Sequence, residues 1–157
     1  MKANQLLNFV IKPTLVYLEL DSPSAENLLL GTCAQETLMG QYIKQINGPA
    51  LSPYGIESKT HTNIVSTTGT KYPSLYKKII QLRSVRNQYS NDDFELLTNL
   101  AYATAIARLR YYLWAPELPP ANDIPALAAY WKKYYNTVDG AGTEQQFIEN
   151  YKRYVNI

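Results

Sequence analysis

PSAENLLLGTCAQETLMGQYIKQINGPALSPYGIESKTH, residues 23–61, is the stretch from which both the fold and the candidate site are predicted. Its first half predicts a buried helix. Asp21 or Ser22 suits the N-cap, and Pro23 suits the first helical position, where its missing N–H costs nothing. The apolar residues that define the buried side recur at helical spacing: Ala25, Leu28, Leu29, Cys33 and Leu38.

Glu36 lies near the end of this predicted helix, among mostly apolar residues. The negative end of the helix dipole and burial both disfavour an ionised carboxylate, so we expect the pKa of Glu36 to be raised. A general acid that works near neutral pH requires such a raised pKa. The alternative is a glutamate solvated at a helix end, and periodicity alone does not decide between the two.

The second half of the stretch contains the glycine and proline residues of a loop at 47–53, followed by a short piece at 54–57 that we expect to be extended. This pattern predicts one small β-hairpin whose backbone lies beside Glu36. Further along, Ser58 suits the N-cap of a helix that ends by Gly69, and residues 67–73 have the composition of a linker.

The rest of the chain predicts helices and no further strand, so the expected fold is mainly α, a single domain over residues 1–157. Residues 4–18 predict a first helix interrupted at Pro13. Asn99 is expected to restart a long helix after a short break, because asparagine competes for backbone hydrogen bonds. Thr143 and Gln146 form the pattern of a capping box before a last helix.

Composition excludes several classes of protein. The net charge of +2, from 15 basic and 13 acidic residues, is too even to predict nucleic-acid binding. One cysteine and one histidine argue against a disulfide and against a Cys- or His-rich metal site, and no cofactor is expected. No apolar run approaches the ~20 residues of a membrane span. The N-terminus lacks a sustained apolar core and a cleavage pattern, so we expect no secretion signal.

Three segments carry a resemblance to a known family. Ala34-Gln35-Glu36-Thr37 resembles the Q-E-S segment of the lysozyme-like superfamily, residues 50–57 resemble its hairpin, and Ala128-Ala129-Tyr130 resembles its A-A-Y segment. The soluble lytic transglycosylases and goose-type lysozymes are the branches with the most similar pattern. From Lys12 onward, the chain also resembles small stand-alone proteins of tailed bacteriophages. Gly55 stands where the family usually has glutamine.

The resemblance implies a lysozyme-like helical domain that cleaves the glycan strands of peptidoglycan, with Glu36 as the general acid. Glu57 is then either the second carboxylate of an inverting hydrolase or a cap of the following helix, because lytic transglycosylases need no second carboxylate. The substrate-binding residues implied by the resemblance are Tyr54, Ile56, Asn99, Tyr102 and Tyr130. Two of these assignments have an alternative. Tyr54 could instead fill the underside of the hairpin. Tyr130 is either a partner of the Glu36 carboxyl or a core tyrosine.

Two functional interpretations follow from the resemblance. The first is a phage enzyme, a transglycosylase or muramidase, that is carried in the virion or made in the host cytoplasm and acts in the periplasm or cell wall. The second is a catalytically weak or inactive structural component of a phage tail or baseplate hub, which the replacement at Gly55 and the 14 tyrosines favour. The expected partners are peptidoglycan strands and phage tail or baseplate proteins.

Overall fold

A computed structural model describes residues 1–84, 93–136 and 140–155, and it confirms that the protein is mainly helical. The helical elements described are α1 (Ala3–Leu6), the π-helical segment π1 (Leu7–Ile11), α2 (Lys12–Leu18), α3 (Pro23–Thr37), α4 (Ser58–Lys71), α5 (Pro73–Gln81), α6 (Asp93–Thr98), α7 (Leu100–Trp114), α8 (Ile124–Trp131), the π-helical segment π2 (Lys132–Asn136) and α9 (Glu144–Tyr154).

Helix α3 lies at the centre of the packing and contacts α7, α8, α9 and π1. Ser22, and not Asp21, caps it by accepting a hydrogen bond from the Ala25 N–H at 3.1 Å. The helix is buried on most of its circumference, as expected for a sequence that is apolar on more than one face. At Gly31, an added Cβ would lie 2.3 Å from the ring of Phe147, so a side chain there would force α9 away from α3.

Helix α7 is the second central element, and its predicted restart at Asn99 is confirmed. The Asn99 side chain accepts from the Tyr102 N–H at 3.0 Å and thereby caps the helix. Its amide group donates to the Leu82 carbonyl at 2.7 Å and to the buried carboxylate of Glu95 at 2.9 Å. Burial alone would raise the pKa of Glu95, but hydrogen bonds from Ser84 and Asn99 together lower it below its ordinary value.

The interruption expected near Pro13 takes the form of π1. This wider turn precedes Pro13, the second residue of α2. A proline in a regular helix removes a hydrogen bond and clashes with the carbonyl group four residues earlier. The π-helical turn accommodates that clash while the chain keeps a helical path from Ala3 to Leu18.

Two predictions about residues 58–73 are wrong. Residues 67–71 belong to α4, which runs through Gly69 to Lys71, so the predicted linker is helical. Gly69 faces the ring of Tyr76 on α5, and this packing overrides the weak helix propensity of the segment. Ser58 is the first residue of α4 instead of its N-cap, and its hydroxyl donates to the Asp93 carboxylate.

The predicted β-hairpin is not confirmed. In the residues described, the chain forms two isolated antiparallel bridges, between Lys44 and Leu51 and between Leu51 and Ile56, and no strand. Residues 52–55 form a turn, so Tyr54 and the following glycine are not extended as expected. The membrane prediction agrees with the structure: no helix among the described residues is long and apolar enough to cross a bilayer.

Replacing Asn99 with aspartate tests the role of its amide group. Asn99→Asp keeps the oxygen that caps α7, but it loses both amide donors and places a second carboxylate beside buried Glu95. We expect the free energy of unfolding at pH 7 to fall by more than about 2 kcal/mol, and the loss to shrink toward pH 4 as one carboxylate is protonated. Urea unfolding at both pH values measures this.

Thr143→Asp is the matched control, because it exchanges the exposed N-cap of α9 for another good capping residue. Its effect should stay within about 0.5 kcal/mol. Equal losses in the two variants would mean that the Asn99 amide donors do not stabilise the fold.

Candidate active site

The end of α3 turns sharply and brings the following loop back over Glu36. Leu38 and Met39 both adopt left-handed backbone conformations, with φ of 50° and 66°. Such conformations cost about 1 kcal/mol or more each in non-glycine residues, and they are held here by bonds from the Leu38 and Met39 N–H groups to carbonyls of α3. The Thr37 hydroxyl then donates to the Pro53 carbonyl at 2.7 Å, which fixes the loop against the helix end.

Gly55 forms the wall of the site next to the Glu36 carboxyl. Its φ is +62°, and an added Cβ would lie 2.9 Å from Glu36 Oε2. The turn is closed by two backbone hydrogen bonds between Leu51 and Ile56, at 2.9 and 2.7 Å. Glycine is therefore required here twice over, by the left-handed backbone and by the close approach of the carboxyl group.

Trp131 provides a direct partner for the carboxyl group. Its indole Nε1–H donates to Glu36 Oε1 at 3.0 Å, and its ring is fully buried against Phe147 with centroids 5.4 Å apart. Because the indole is fixed by this packing, the donor is held in place for the carboxyl oxygen. The other oxygen, Oε2, lies on the side of Gly55.

The electrostatic surroundings of Glu36 confirm the expected raised pKa. Burial raises the pKa of Glu36 to about 7, while the hydrogen bond from Trp131 and the positive charge of Arg110 lower it by smaller amounts. Arg110 is itself fixed, because its guanidinium donates to the Tyr135 carbonyl and lies 4.0 Å from the centroid of the Tyr135 ring. At neutral pH a large fraction of the protein therefore carries a protonated Glu36.

Two surface cavities, of about 370 and 460 Å³, meet at Glu36. They share four lining residues: Glu36, Gln45, Ala50 and Gly55. The first cavity extends along the loop to the exposed side chains of Tyr42 and Ile46, and the second extends to Glu57, Arg110 and Trp131. Together they form a groove with the carboxyl group of Glu36 at the junction, and we refer to it below as the Glu36 groove.

Glu57 lies on the wall of the Glu36 groove and is exposed. It occupies the N-cap position of α4, but its side chain makes no capping hydrogen bond. Of the two roles left open by the sequence, the structure therefore does not support capping by the side chain. The carboxylate of Glu57 is available to a ligand in the groove.

The structure places Tyr54 and Ile56 under the turn and out of the groove. Both side chains are fully buried. The Tyr54 hydroxyl bonds to the Thr104 hydroxyl at 2.9 Å, and its carbonyl accepts from the Tyr135 hydroxyl at 2.8 Å. These two side chains are therefore not placed to contact a ligand in the groove, and Tyr54 lies on the underside of the turn, as in the alternative interpretation.

Asn99, Tyr102 and Tyr130 also have structural partners elsewhere. The Tyr102 side chain is fully buried, and its hydroxyl bonds to Nε2 of His61 at 2.8 Å. The Tyr130 hydroxyl donates to the Pro116 carbonyl at 2.6 Å, so the predicted bond to Glu36 is wrong. None of the three lines the Glu36 groove as the structure describes it.

Sequence reasoning missed Trp131 and Arg110. Trp131 directly follows the A-A-Y segment, and its indole N–H is a donor that a nearby carboxyl group can accept from, which is the one signal in the sequence that could have identified it. Arg110 is one of two arginines on α7 whose environments cannot be told apart by spacing alone. In the part of the chain that the structure describes, no three His, Cys, Asp or Glu side chains are grouped to hold a metal ion.

Comparison of the chain with protein-family models, with curated proteins and with solved structures finds no match. The function must therefore be inferred from the site itself.

The raised pKa of Glu36 predicts a specific effect on stability. In the unfolded chain the carboxyl ionises near its ordinary pKa of 4.5, whereas in the folded protein it ionises near 7. Burial of Glu36 therefore does not lower the free energy of unfolding below pH 4.5. It lowers this free energy increasingly between pH 4.5 and 7, and the loss is complete above pH 7. Glu36→Gln removes the penalty, so we expect this variant to be more stable than wild type at pH 8, by up to about 3 kcal/mol, and equally stable at pH 4.

Urea unfolding from pH 4 to pH 8 measures this difference. Glu149→Gln serves as the control, because Glu149 is exposed on α9 and its substitution should change stability equally little at both pH values. A Glu36→Gln variant with no gain at pH 8 would show that the carboxyl group is well solvated.

Proposed function

We propose that this protein cleaves the bond between N-acetylmuramic acid and N-acetylglucosamine in peptidoglycan, with Glu36 as the general acid, as a lysozyme-like transglycosylase or muramidase. The observation that carries the proposal is a carboxyl group with a pKa near 7 at the junction of two cavities. Glycoside cleavage needs a protonated carboxyl beside the bond to be broken, with room for a sugar on each side. The Glu36 groove meets both conditions.

In this mechanism Oε2 of Glu36 carries the proton, because Oε1 accepts the hydrogen bond from Trp131. Oε2 protonates the glycosidic oxygen as the bond to the sugar carbon breaks, and Glu36 becomes an anion. The Trp131 N–H and the charge of Arg110 both favour that anion. They therefore stabilise the site more after proton transfer than before it, which is the requirement for lowering the barrier.

The positively charged sugar carbon must then be attacked by a nucleophile, and there are two routes. In the first, the exposed carboxylate of Glu57 activates a water molecule on the far side of the sugar, as in an inverting hydrolase. In the second, a hydroxyl group of the substrate closes a ring on the reacting carbon and gives its proton to the Glu36 carboxylate, which restores the acid, and Glu57 has no chemical role. Exposed Tyr42 and Ile46 supply apolar surface for sugar rings along the groove.

The site of action follows from the same proposal. A protein that cleaves peptidoglycan acts in the periplasm or cell wall, and we propose that it reaches the wall as part of a phage virion or after release from the host cytoplasm.

A second candidate is a structural component of a phage tail or baseplate hub with little or no activity. The exposed apolar side chains on the first helical region favour it, because Phe9 is 72% exposed and Val16 is 57% exposed. Large apolar side chains at such exposure are typical of surfaces that another protein covers. The two candidates differ in whether purified protein releases glycan fragments.

Mass spectrometry of wall digests provides the main test. We expect wild-type protein to release muropeptides from purified peptidoglycan and Glu36→Gln to lose at least 100-fold in rate, since it cannot donate a proton. A 1,6-anhydro end on the products indicates ring closure, and a reducing end indicates hydrolysis, in which case Glu57→Gln should be slow as well. Glu149→Gln should match wild type. Equal activity of Glu36→Gln and wild type would exclude Glu36 as the acid.

Trp131→Phe tests the role of the indole N–H. Losing a donor to the ionised carboxylate should raise the pKa of Glu36, so the alkaline limit of activity should move up by about one pH unit while the maximal rate falls. The control is Phe147→Leu, which disturbs the packing of Trp131 but keeps its N–H. An equal shift in both variants would attribute the effect to packing and not to the hydrogen bond.

A further inference from the structure

Arg108 on α7 is a buried cation that lacks a carboxylate partner. The residue is only 8% exposed, and its Nε atom has no hydrogen-bond partner. Among the described residues, no Asp or Glu forms an ion pair with it. Its guanidinium lies 5.6 Å from the centroid of the Tyr112 ring, which is a weak substitute for an anion.

An arginine in this state is costly to the folded protein. Burial lowers the pKa of Arg108, and the surrounding tyrosines offset this only in part. Buried charges in proteins are nearly always paired, because the loss of hydration must be offset by an ion or by hydrogen bonds. The Glu36 groove does not use Arg108, so the catalytic proposal does not explain it.

A cavity of about 490 Å³ opens beside this guanidinium. One part of its lining is polar and positive in character: Arg108 together with Ser22 and Ser24 at the N-terminus of α3, where the helix dipole favours an anion. The other part is apolar and is formed by Tyr112, Pro116 and Leu118. The lining of the cavity thus combines a cation and a helix N-terminus with apolar side chains.

We propose that this cavity is a binding site for a carboxylate carried on an apolar body, with the carboxylate on Arg108 and the apolar part against Tyr112 and Leu118. The planar guanidinium matches the two oxygens of a carboxylate. The site is separate from the Glu36 groove, because Ser24 and Glu36 lie near opposite ends of α3, roughly 18 Å apart along a helix that rises ~1.5 Å per residue.

Glu117 provides an internal check on the proposal. It is exposed, lines the same cavity and forms no ion pair with Arg108. Its negative charge opposes the binding of an anion. Removing the charge of Glu117 should therefore tighten the binding of a carboxylate, whereas replacing the guanidinium group of Arg108 should weaken it.

The test uses the intact protein and three probes at constant ionic strength: benzoate, acetate and inorganic phosphate. Binding is followed by NMR through the arginine Nε–H signals, with the Arg108 signal assigned by its loss in Arg108→Lys. We expect benzoate to shift the Arg108 signal saturably and to bind at least tenfold more tightly than acetate or phosphate. Arg108→Lys should weaken benzoate binding at least tenfold, and Glu117→Gln should tighten it severalfold.

The exposed Arg153→Lys is the matched control and should leave benzoate binding unchanged. The proposal is overturned if benzoate produces no saturable shift, if Arg108→Lys binds it as well as wild type, or if phosphate binds more tightly than benzoate. Should Arg108→Lys fail to fold, the Arg108 signal is assigned through its bonds to the backbone of residue 108, and the Glu117→Gln comparison decides, because weaker or unchanged benzoate binding in that variant contradicts the proposed position of the carboxylate.

Discussion

The constraint on which the structure depends is the burial of α3 along almost its entire length. Because neighbouring helices surround α3, the direction of its last turn is fixed, and so is the position of Glu36. The left-handed residues that follow bring the loop back over the carboxyl group. Desolvation of an acid at this position is a consequence of how the core is packed, and the raised pKa of Glu36 is its electrostatic result.

Helix α7 distributes positive charge between two different environments. Arg110 faces the Glu36 groove, where it is held by Tyr135 and influences the acid. Arg108 faces the cavity at the other end of α3, where an aromatic ring lies near its guanidinium and, among the described residues, no carboxylate is ion-paired with it. Arg110 and Arg108 are separated by one residue, but only Arg110 has an acidic group of the fold, Glu36, as its electrostatic partner.

Local capping signals predicted where three of the helices begin, and long-range contacts were predicted poorly. The caps at Ser22, Asn99 and Thr143 were found because each depends on a hydrogen bond to a residue three positions away. The linker expected around Gly69 is helical, since packing against Tyr76 outweighs composition.

In the candidate site, too, local features were predicted and long-range contacts were not. The burial of Glu36 could be inferred from its own helix. The partner of its carboxyl group could not, because Trp131 is 95 residues away in sequence and its choice over Tyr130 depends on how α8 is rotated against α3. The tyrosines assigned to the substrate are instead joined to Thr104, His61 and Pro116, contacts that no spacing in the sequence reveals.

The contact between Gly31 and Phe147 has a consequence for the order of events during protein synthesis. The surface of α3 that Phe147 covers is translated more than a hundred residues before its partner emerges from the ribosome. A nascent chain that has passed residue 37 therefore carries this apolar surface of α3 uncovered for most of its elongation. Folding of this region must wait until the segment around residues 131–150 is made, so the protein acquires its acid-bearing groove only at a late stage of translation.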